Sequence, residues 1–223
     1  MSEKRLELGG LQALAVGDEQ ADLAVVVLHG RQMEAADLAP FAHSLGGPVY
    51  WVFPDAPLVQ PGEPRGRTWW PVDSEARMRR LAQGPMELSA MDPPGRPEAR
   101  AFVDSIVGSL AQPFVLAGFS QGGMLAMDYV LHGGRRPAAL ALLSTTRIAL
   151  AEWTACAATG VLAGLPVLVA HGKDDAELAF AAGEQLRDFA SANGAIVQWL
   201  PFDGGHQLPF VVWRALRKLL VAR

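Results

Sequence analysis

Residues 114–131 read FVLAGFSQGGMLAMDYVL. The opening apolar run, Phe114 to Ala117, reads as a strand buried on both faces, and Gln121 to Leu131 follows at once as a helix. Between them stands Gly118-Phe119-Ser120-Gln121-Gly122. A strand that turns directly into a helix forces the middle residue into a tight, strained conformation. Gly118 and Gly122 remove the Cβ atoms that would clash there, and Ser120 is left projecting above the strand end. The backbone N–H of Gln121 points into the same space at a helix N-terminus, where partial positive charge favours an anion. The alternative is a helix N-cap serine between convenient glycines. The flanking strand and helix favour a nucleophile.

The pattern repeats on both sides of this element. Residues 23–28 (LAVVVL) form a second continuous apolar, β-branched run, ending at His29-Gly30. Residues 34–45 follow with helical spacing, Leu38, Phe41, Ala42 and Leu45 sharing a face. Residues 49–53 read as a strand stopped by Pro54-Asp55-Ala56-Pro57. Further buried strands are expected at 138–143 and 167–170, a helix at 176–192, a strand at 196–200 and a closing amphipathic helix at 208–221. Strands alternating with helices imply an α/β protein with a mostly parallel sheet covered on both faces. No internal repeat is visible.

The chain has 223 residues, half of them apolar (50%) and 19% charged. That composition excludes a disordered chain, a collagen-like repeat and a disulfide-built miniprotein. One domain of this length buries roughly 70% of the surface its unfolded form would expose. Net charge is −4, and no block of Lys and Arg appears, so neither nucleic acid nor an anionic membrane is an expected partner. Cys156 is the only cysteine, which excludes an intramolecular disulfide and a Cys-based zinc cluster. It reads as a small apolar residue rather than a thiol nucleophile. The first ten residues lack the apolar core of a signal peptide, and the longest near-apolar stretch, 161–170, is too short to span a bilayer. The expectation is a cytoplasmic protein without stable membrane insertion.

Residues 54–97 differ from the rest, holding nine of the 16 prolines together with Trp69, Trp70 and a cluster of Arg. Proline at this density argues against a regular strand or a long helix. A long irregular insertion in a compact domain often covers a binding site, and adjacent tryptophans need something to pack on, so a lid-like cover is expected over a decorative loop. Trp69, Trp70, Leu81, Met86 and Met91 either line an acyl pocket beneath it or form the cover's own small core. Arg31, Arg65 and Arg67 are either solvated or aimed at an acidic substrate group.

A serine hydroxyl needs a base to become a nucleophile. Among five histidines, His206 stands in Asp203-Gly204-Gly205-His206, a flexible loop able to bring an imidazole over the strand ends. His29 and His171, each before a glycine at a strand end, read as structural, and His43 and His132 as surface or packing residues. The third member should be a carboxylate that orients the imidazole. His171-Gly172-Lys173-Asp174-Asp175 offers two, and the residues alone do not choose between Asp174 and Asp175. Ser, Asp, His is the chain order of α/β-hydrolases.

These elements support a family resemblance. Leu28-His29-Gly30, Pro54-Asp55-Ala56-Pro57, Gly118-Phe119-Ser120-Gln121-Gly122-Gly123, His171-Gly172 and Gly205-His206 together resemble the phospholipase/carboxylesterase family, which includes bacterial carboxylesterases and acyl-protein thioesterases. The resemblance covers most of the length and implies a single α/β-hydrolase domain. In the family's pattern the acid is the fourth residue after the histidine of His-Gly, which selects Asp175. The residue after the first His-Gly supplies a backbone N–H to the oxyanion hole, which selects Arg31, with Gln121 as second donor. Two departures stand out: a guanidinium at position 31, where relatives carry a small or aliphatic side chain, and Ala176-Glu177-Leu178 in place of the familiar Val-Val-Pro. The activity implied is hydrolysis of small-molecule carboxylic esters of short to medium acyl chain by Ser120, His206 and Asp175, with no metal or organic cofactor. Relatives often form homodimers, with Trp153 or Trp213 available to an interface or to the core. A thioesterase or lysophospholipase on the same fold is the alternative. Ser120 argues against dienelactone hydrolases, which generally use cysteine. A non-catalytic binding protein retaining the fold is the remaining contrast.

Overall fold

The computed structural model describes residues 2–59 and 66–221. A hairpin of β1 (Glu3–Leu8) and β2 (Leu11–Val16) leads into β3 (Ala24–Leu28), α1 (Ala35–Leu45) and β4 (Tyr50–Pro54). The cover segment carries β5 (Leu58–Val59), β6 (Arg67–Thr68) and α2 (Ser74–Leu81), and α3 (Arg96–Gly108) begins at its end. Then come β7 (Phe114–Phe119), α4 (Gln121–Leu131), β8 (Ala139–Leu143), α5 (Leu150–Ala157), β9 (Pro166–Gly172), α6 (Phe180–Ala192), β10 (Ile196–Phe202) and α7 (Phe210–Val221).

Eight strands form one sheet in the order β1-β2-β4-β3-β7-β8-β9-β10. The pairs β1–β2 and β2–β4 are antiparallel and the others parallel. Side chains alternate across a strand, so each central strand feeds two cores. Val26, Leu28, Leu116, Leu140, Leu142 and Val169 face α3, α4, α5 and α6. Val25, Val27, Val115, Ala141 and Leu168 face α1 and α7. Burial on both faces is why β3 and β7 are apolar at every position.

Two helix starts and the Pro-rich segment differ from the sequence expectation, each for a visible reason. The helix expected from residue 176 starts at Phe180, because the N–H groups of Glu177 and Leu178 donate to Asp175 and that of Ala179 to Met86 O. The last helix starts at Phe210, immediately after Pro209. Residues 54–97 hold more regular structure than their prolines suggest. The helix α2 fits between Pro71 and Pro85, its Asp73 N-cap accepting the Ala76 N–H at 2.9 Å, and α3 carries Pro97 in its first turn, where proline costs nothing.

Hydrogen bonds stitch this cover onto the sheet's C-terminal edge. Met86 N–H donates to Glu177 O at 2.9 Å and Met86 O accepts from Ala179 N–H at 2.9 Å, while Arg77 and Glu177 form an ion pair. Ser89 O and Met91 O accept from Leu150 and Ala149 N–H at 2.9 and 2.7 Å. Trp153 and Trp213 are fully buried, so both belong to the core and neither offers an interface. Among the described residues no helix is long and apolar enough to cross a membrane.

Candidate active site

The ends of β7, β9 and β10 bring Ser120, Asp175 and His206 together. Ser120 sits on the one-residue turn between β7 and α4 at φ 53° and ψ −117°, a conformation that non-glycine residues rarely adopt. The neighbouring glycines are there for space. A Cβ on Gly118 would lie 2.2 Å from Gly122 O, and one on Gly122 would lie 2.3 Å from Leu28 O. The turn is tied down by Ser120 N–H to Leu143 O at 2.9 Å and by the Thr145 hydroxyl to Ser120 O at 2.7 Å. Strain held by such surroundings leaves the hydroxyl, rather than the backbone, facing the cleft.

His206 Nε2 lies 2.9 Å from Ser120 Oγ, and His206 Nδ1 lies 2.7 Å from Asp175 Oδ2. The imidazole also packs against Phe119, ring centroids 4.9 Å apart. Asp175 is buried, and its other oxygen, Oδ1, accepts from the backbone N–H groups of Glu177 and Leu178, both at 2.9 Å. Those two bonds fix the carboxylate and leave Oδ2 for the imidazole. Of the adjacent aspartates, Asp174 is exposed and Asp175 is the one bonded to His206. Ser120, His206 and Asp175 thus form one continuous hydrogen-bonded chain, a geometry in which an imidazole can remove a hydroxyl proton while a carboxylate stabilises the resulting cation.

The other two histidines at strand ends are structural. His29 is fully buried; its Nδ1 donates to Gly30 O at 2.7 Å and its Nε2 accepts the Ala56 N–H at 2.9 Å. His171 Nε2 donates to Leu178 O at 3.1 Å, bracing the loop that carries Asp175. Burial lowers the pKa of both, keeping each imidazole neutral. Cys156 is half-buried 3.8 Å from His132, and burial first, then the nearby carboxylates, raises its pKa, so the thiol stays protonated.

A cleft of about 1070 Å³ opens over Ser120 and His206, bordered by Gly30, Arg31 and Gln121. Trp70, Met86, Leu88, Met91, Met124 and Ile148 give it an apolar lining, with charged side chains such as Arg77, Arg80 and Glu177 also bordering it. Of the residues expected to line an acyl pocket, Trp70, Met86 and Met91 border the cleft, whereas Trp69 and Leu81 do not. Trp69, itself part of the cover, is buried, its indole N–H donating to His29 O at 2.9 Å. Arg67 stands away from the cleft, its guanidinium donating to Ala56 O at 3.2 Å, while Arg31 borders the cleft. Arg65 lies outside the described residues.

Two features near the site escaped sequence reasoning. The side chain of Gln121 and the hydroxyl of Thr68 meet in a buried cluster beside the serine turn. Glu177, one of the departures from the family's pattern, touches Asp175 with its N–H and the cover with both its carbonyl and its carboxylate. Nothing in the spacing of a single sequence signals either contact.

A mostly parallel sheet with helices on both faces, a serine on a strained turn after a central strand, and an acid and a histidine from later strand ends define an α/β-hydrolase. The chain belongs to the phospholipase/carboxylesterase family, whose sequence profile matches residues 11–220. Solved structures of similar fold include esterase PE8 (TM-score 0.76, 24% identity, covering 93% of this chain and 96% of that one). Acyl-protein thioesterase 2 of Zea mays superposes with TM-score 0.72 at 20% identity, covering 94% of this chain and 97% of that one. SOBER1 of Arabidopsis thaliana does so with TM-score 0.70 at 20% identity, covering 90% and 98%. No curated protein sequence is significantly similar to the chain.

Proposed function

We propose that the protein is a serine hydrolase that cleaves carboxylic esters of short to medium acyl chain through an acyl-enzyme. The observation that carries this reading is the unbroken chain from Asp175 Oδ2 to His206 Nδ1 at 2.7 Å and from His206 Nε2 to Ser120 Oγ at 2.9 Å, with Ser120 and His206 bordering a largely apolar cleft. His206 takes the Ser120 proton as Oγ attacks the ester carbonyl. The oxyanion is held by the N–H groups of Arg31 and Gln121. His206 then protonates the departing alcohol, and water activated by the same imidazole releases the acid and restores Ser120. Each backbone donor is worth about 3 kcal/mol to such a transition state.

Intact mass after incubation with a fluorophosphonate tests the nucleophile without a guess at substrate. One adduct on the wild type, absent from Ser120→Ala, is expected; an unmodified wild type ends the serine-hydrolase reading. A panel of oxygen esters, thioesters and lysophospholipids of graded chain length then fixes the substrate class, with oxygen esters of short to medium chain turning over fastest.

A further inference from the structure

Gln121, whose backbone N–H is a proposed oxyanion donor, meets the cover with its side chain. Its Oε1 accepts the Trp69 N–H at 3.0 Å, and its Nε2 donates to Trp70 O at 3.4 Å. The Thr68 hydroxyl lies 2.7 Å from Trp70 O and 3.0 Å from Gln121 Oε1, its one proton shared between two acceptors. Thr68, Trp69, Trp70 and Gln121 are all buried, at 1%, 1%, 3% and 4% exposure, so no water substitutes for these bonds.

The same short segment holds the opposite side of the cleft. Arg67 N–H donates to Met33 O at 3.0 Å, and Arg67 O accepts the Gln32 N–H at 2.8 Å. Gln32 is strained at φ 63°, and Gly66 packs so closely on it that a Cβ there would lie 2.3 Å from the Gln32 carbonyl. On the other flank of Arg31, Trp69 Nε1 donates to His29 O at 2.9 Å. The peptide of Arg31 is therefore bracketed, before and after, by groups belonging to residues 67–70.

We infer that residues 67–70 brace the oxyanion hole, fixing the separation of the Arg31 and Gln121 N–H groups, with Thr68 and the Gln121 side chain as positioning residues. The inference rests on the reading of those two N–H groups as the oxyanion donors. A hole stabilises charge only while its donors are held about 2.7–3.1 Å from the place the oxyanion will occupy. The Gln121 donor is rigid at a helix start, whereas the Arg31 donor sits on a loop. The brace makes one unit of the two, and it acts on the transition state rather than on bound substrate.

The test compares an oxygen ester with its thionoester analogue, whose larger, weakly accepting sulfur gains little from the hole. In Thr68→Val, kcat on the oxygen ester is expected to fall about tenfold with KM within about twofold, and the preference for oxygen over sulfur should shrink by a similar factor. Thr68→Ser, which keeps the hydroxyl, should recover most of that loss. An unchanged kcat, or equal loss on ester and thionoester, overturns the brace. If Thr68→Val does not fold, Gln121→Leu carries the same comparison, and a wild-type ratio in that variant overturns it equally. Failure of the brace leaves the wild type labelled by fluorophosphonate and active on esters; a wild type that does neither takes the hydrolase reading and the brace down together.

Discussion

Arg96 and Asp128 face each other inside the protein, Nη1 to Oδ1 at 2.5 Å, where the end of the cover becomes α3 and crosses α4. Arg96 also reaches Asp92 and Glu152, while Asp128 accepts from Arg100 and from the Trp153 indole N–H at 2.8 and 2.7 Å. Burial works against the Arg96 charge, but Glu152, Asp128 and Asp92 outweigh it and raise its pKa further. Removing one side of a buried pair strands the other. Arg96→Leu is expected to lose about 3–5 kcal/mol in denaturant unfolding, far more than a surface ion pair such as Lys4–Glu19 contributes. A loss of under about 1 kcal/mol would show that Asp128 finds other compensation.

Glu152 at the edge of this cluster gives a pH dependence of defined sign. Its hydrogen bonds to Arg96 and then His132 hold its pKa down at about 2, against 4.5 for a free glutamate. A carboxyl whose pKa is depressed by folding stabilises the protein fully above the unfolded value and loses that contribution as pH falls through the folded one. The window therefore runs from about pH 5 down to about 2. Because the side chain is 41% exposed, its worth is about 1 kcal/mol at neutral pH, or a few degrees in Tm. Thermal unfolding of wild type and Glu152→Gln should differ by that amount at pH 7 and converge towards pH 2. A constant offset across the range would assign the difference to packing instead of charge.

What the sequence made legible follows from burial. The strands β3 and β7 are apolar at every position because both faces are covered, and Ser120 is conspicuous because its glycines are needed for space. The hairpin β1–β2 was not legible: β1 is an edge strand with one solvated face, so its charges hide the pattern. The helices α2 and α3 were masked by flanking prolines that lie at their ends rather than in their interiors. At the candidate site, local context singled out Ser120 and His206 and the family's spacing singled out Asp175, and the fold brings the three side chains together. The partners of Gln121 could not, because they come from residues more than fifty positions away.

The choice between the two aspartates has a direct kinetic consequence. Asp175→Asn retains the shape of the buried loop but removes the charge that, on the proposed mechanism, steadies protonated His206, and a loss of roughly 10⁴ in kcat is expected. Asp174→Asn changes an exposed side chain and should leave kcat within about twofold. Steady-state ester hydrolysis on both variants decides it. A larger loss in Asp174→Asn would mean that the acid is the other residue.

The strain at Ser120 predicts a trade between activity and stability. At φ 53° and ψ −117° a serine backbone is held where glycine is at ease, at a cost of about 1–3 kcal/mol. Replacing Ser120 by Gly removes that strain, and with it the hydroxyl and its bond to His206. Glycine's extra freedom in the unfolded chain offsets part of the gain, by roughly 0.5–1 kcal/mol. The net expectation is a Ser120→Gly variant that hydrolyses no ester yet unfolds about 1 kcal/mol later in denaturant than the wild type. Ser120→Ala, which keeps a Cβ in the same strained geometry, should show no such gain. Equal stabilities for the glycine and alanine variants would mean that the turn is relaxed in solution and that Ser120 is held by its hydrogen bonds alone.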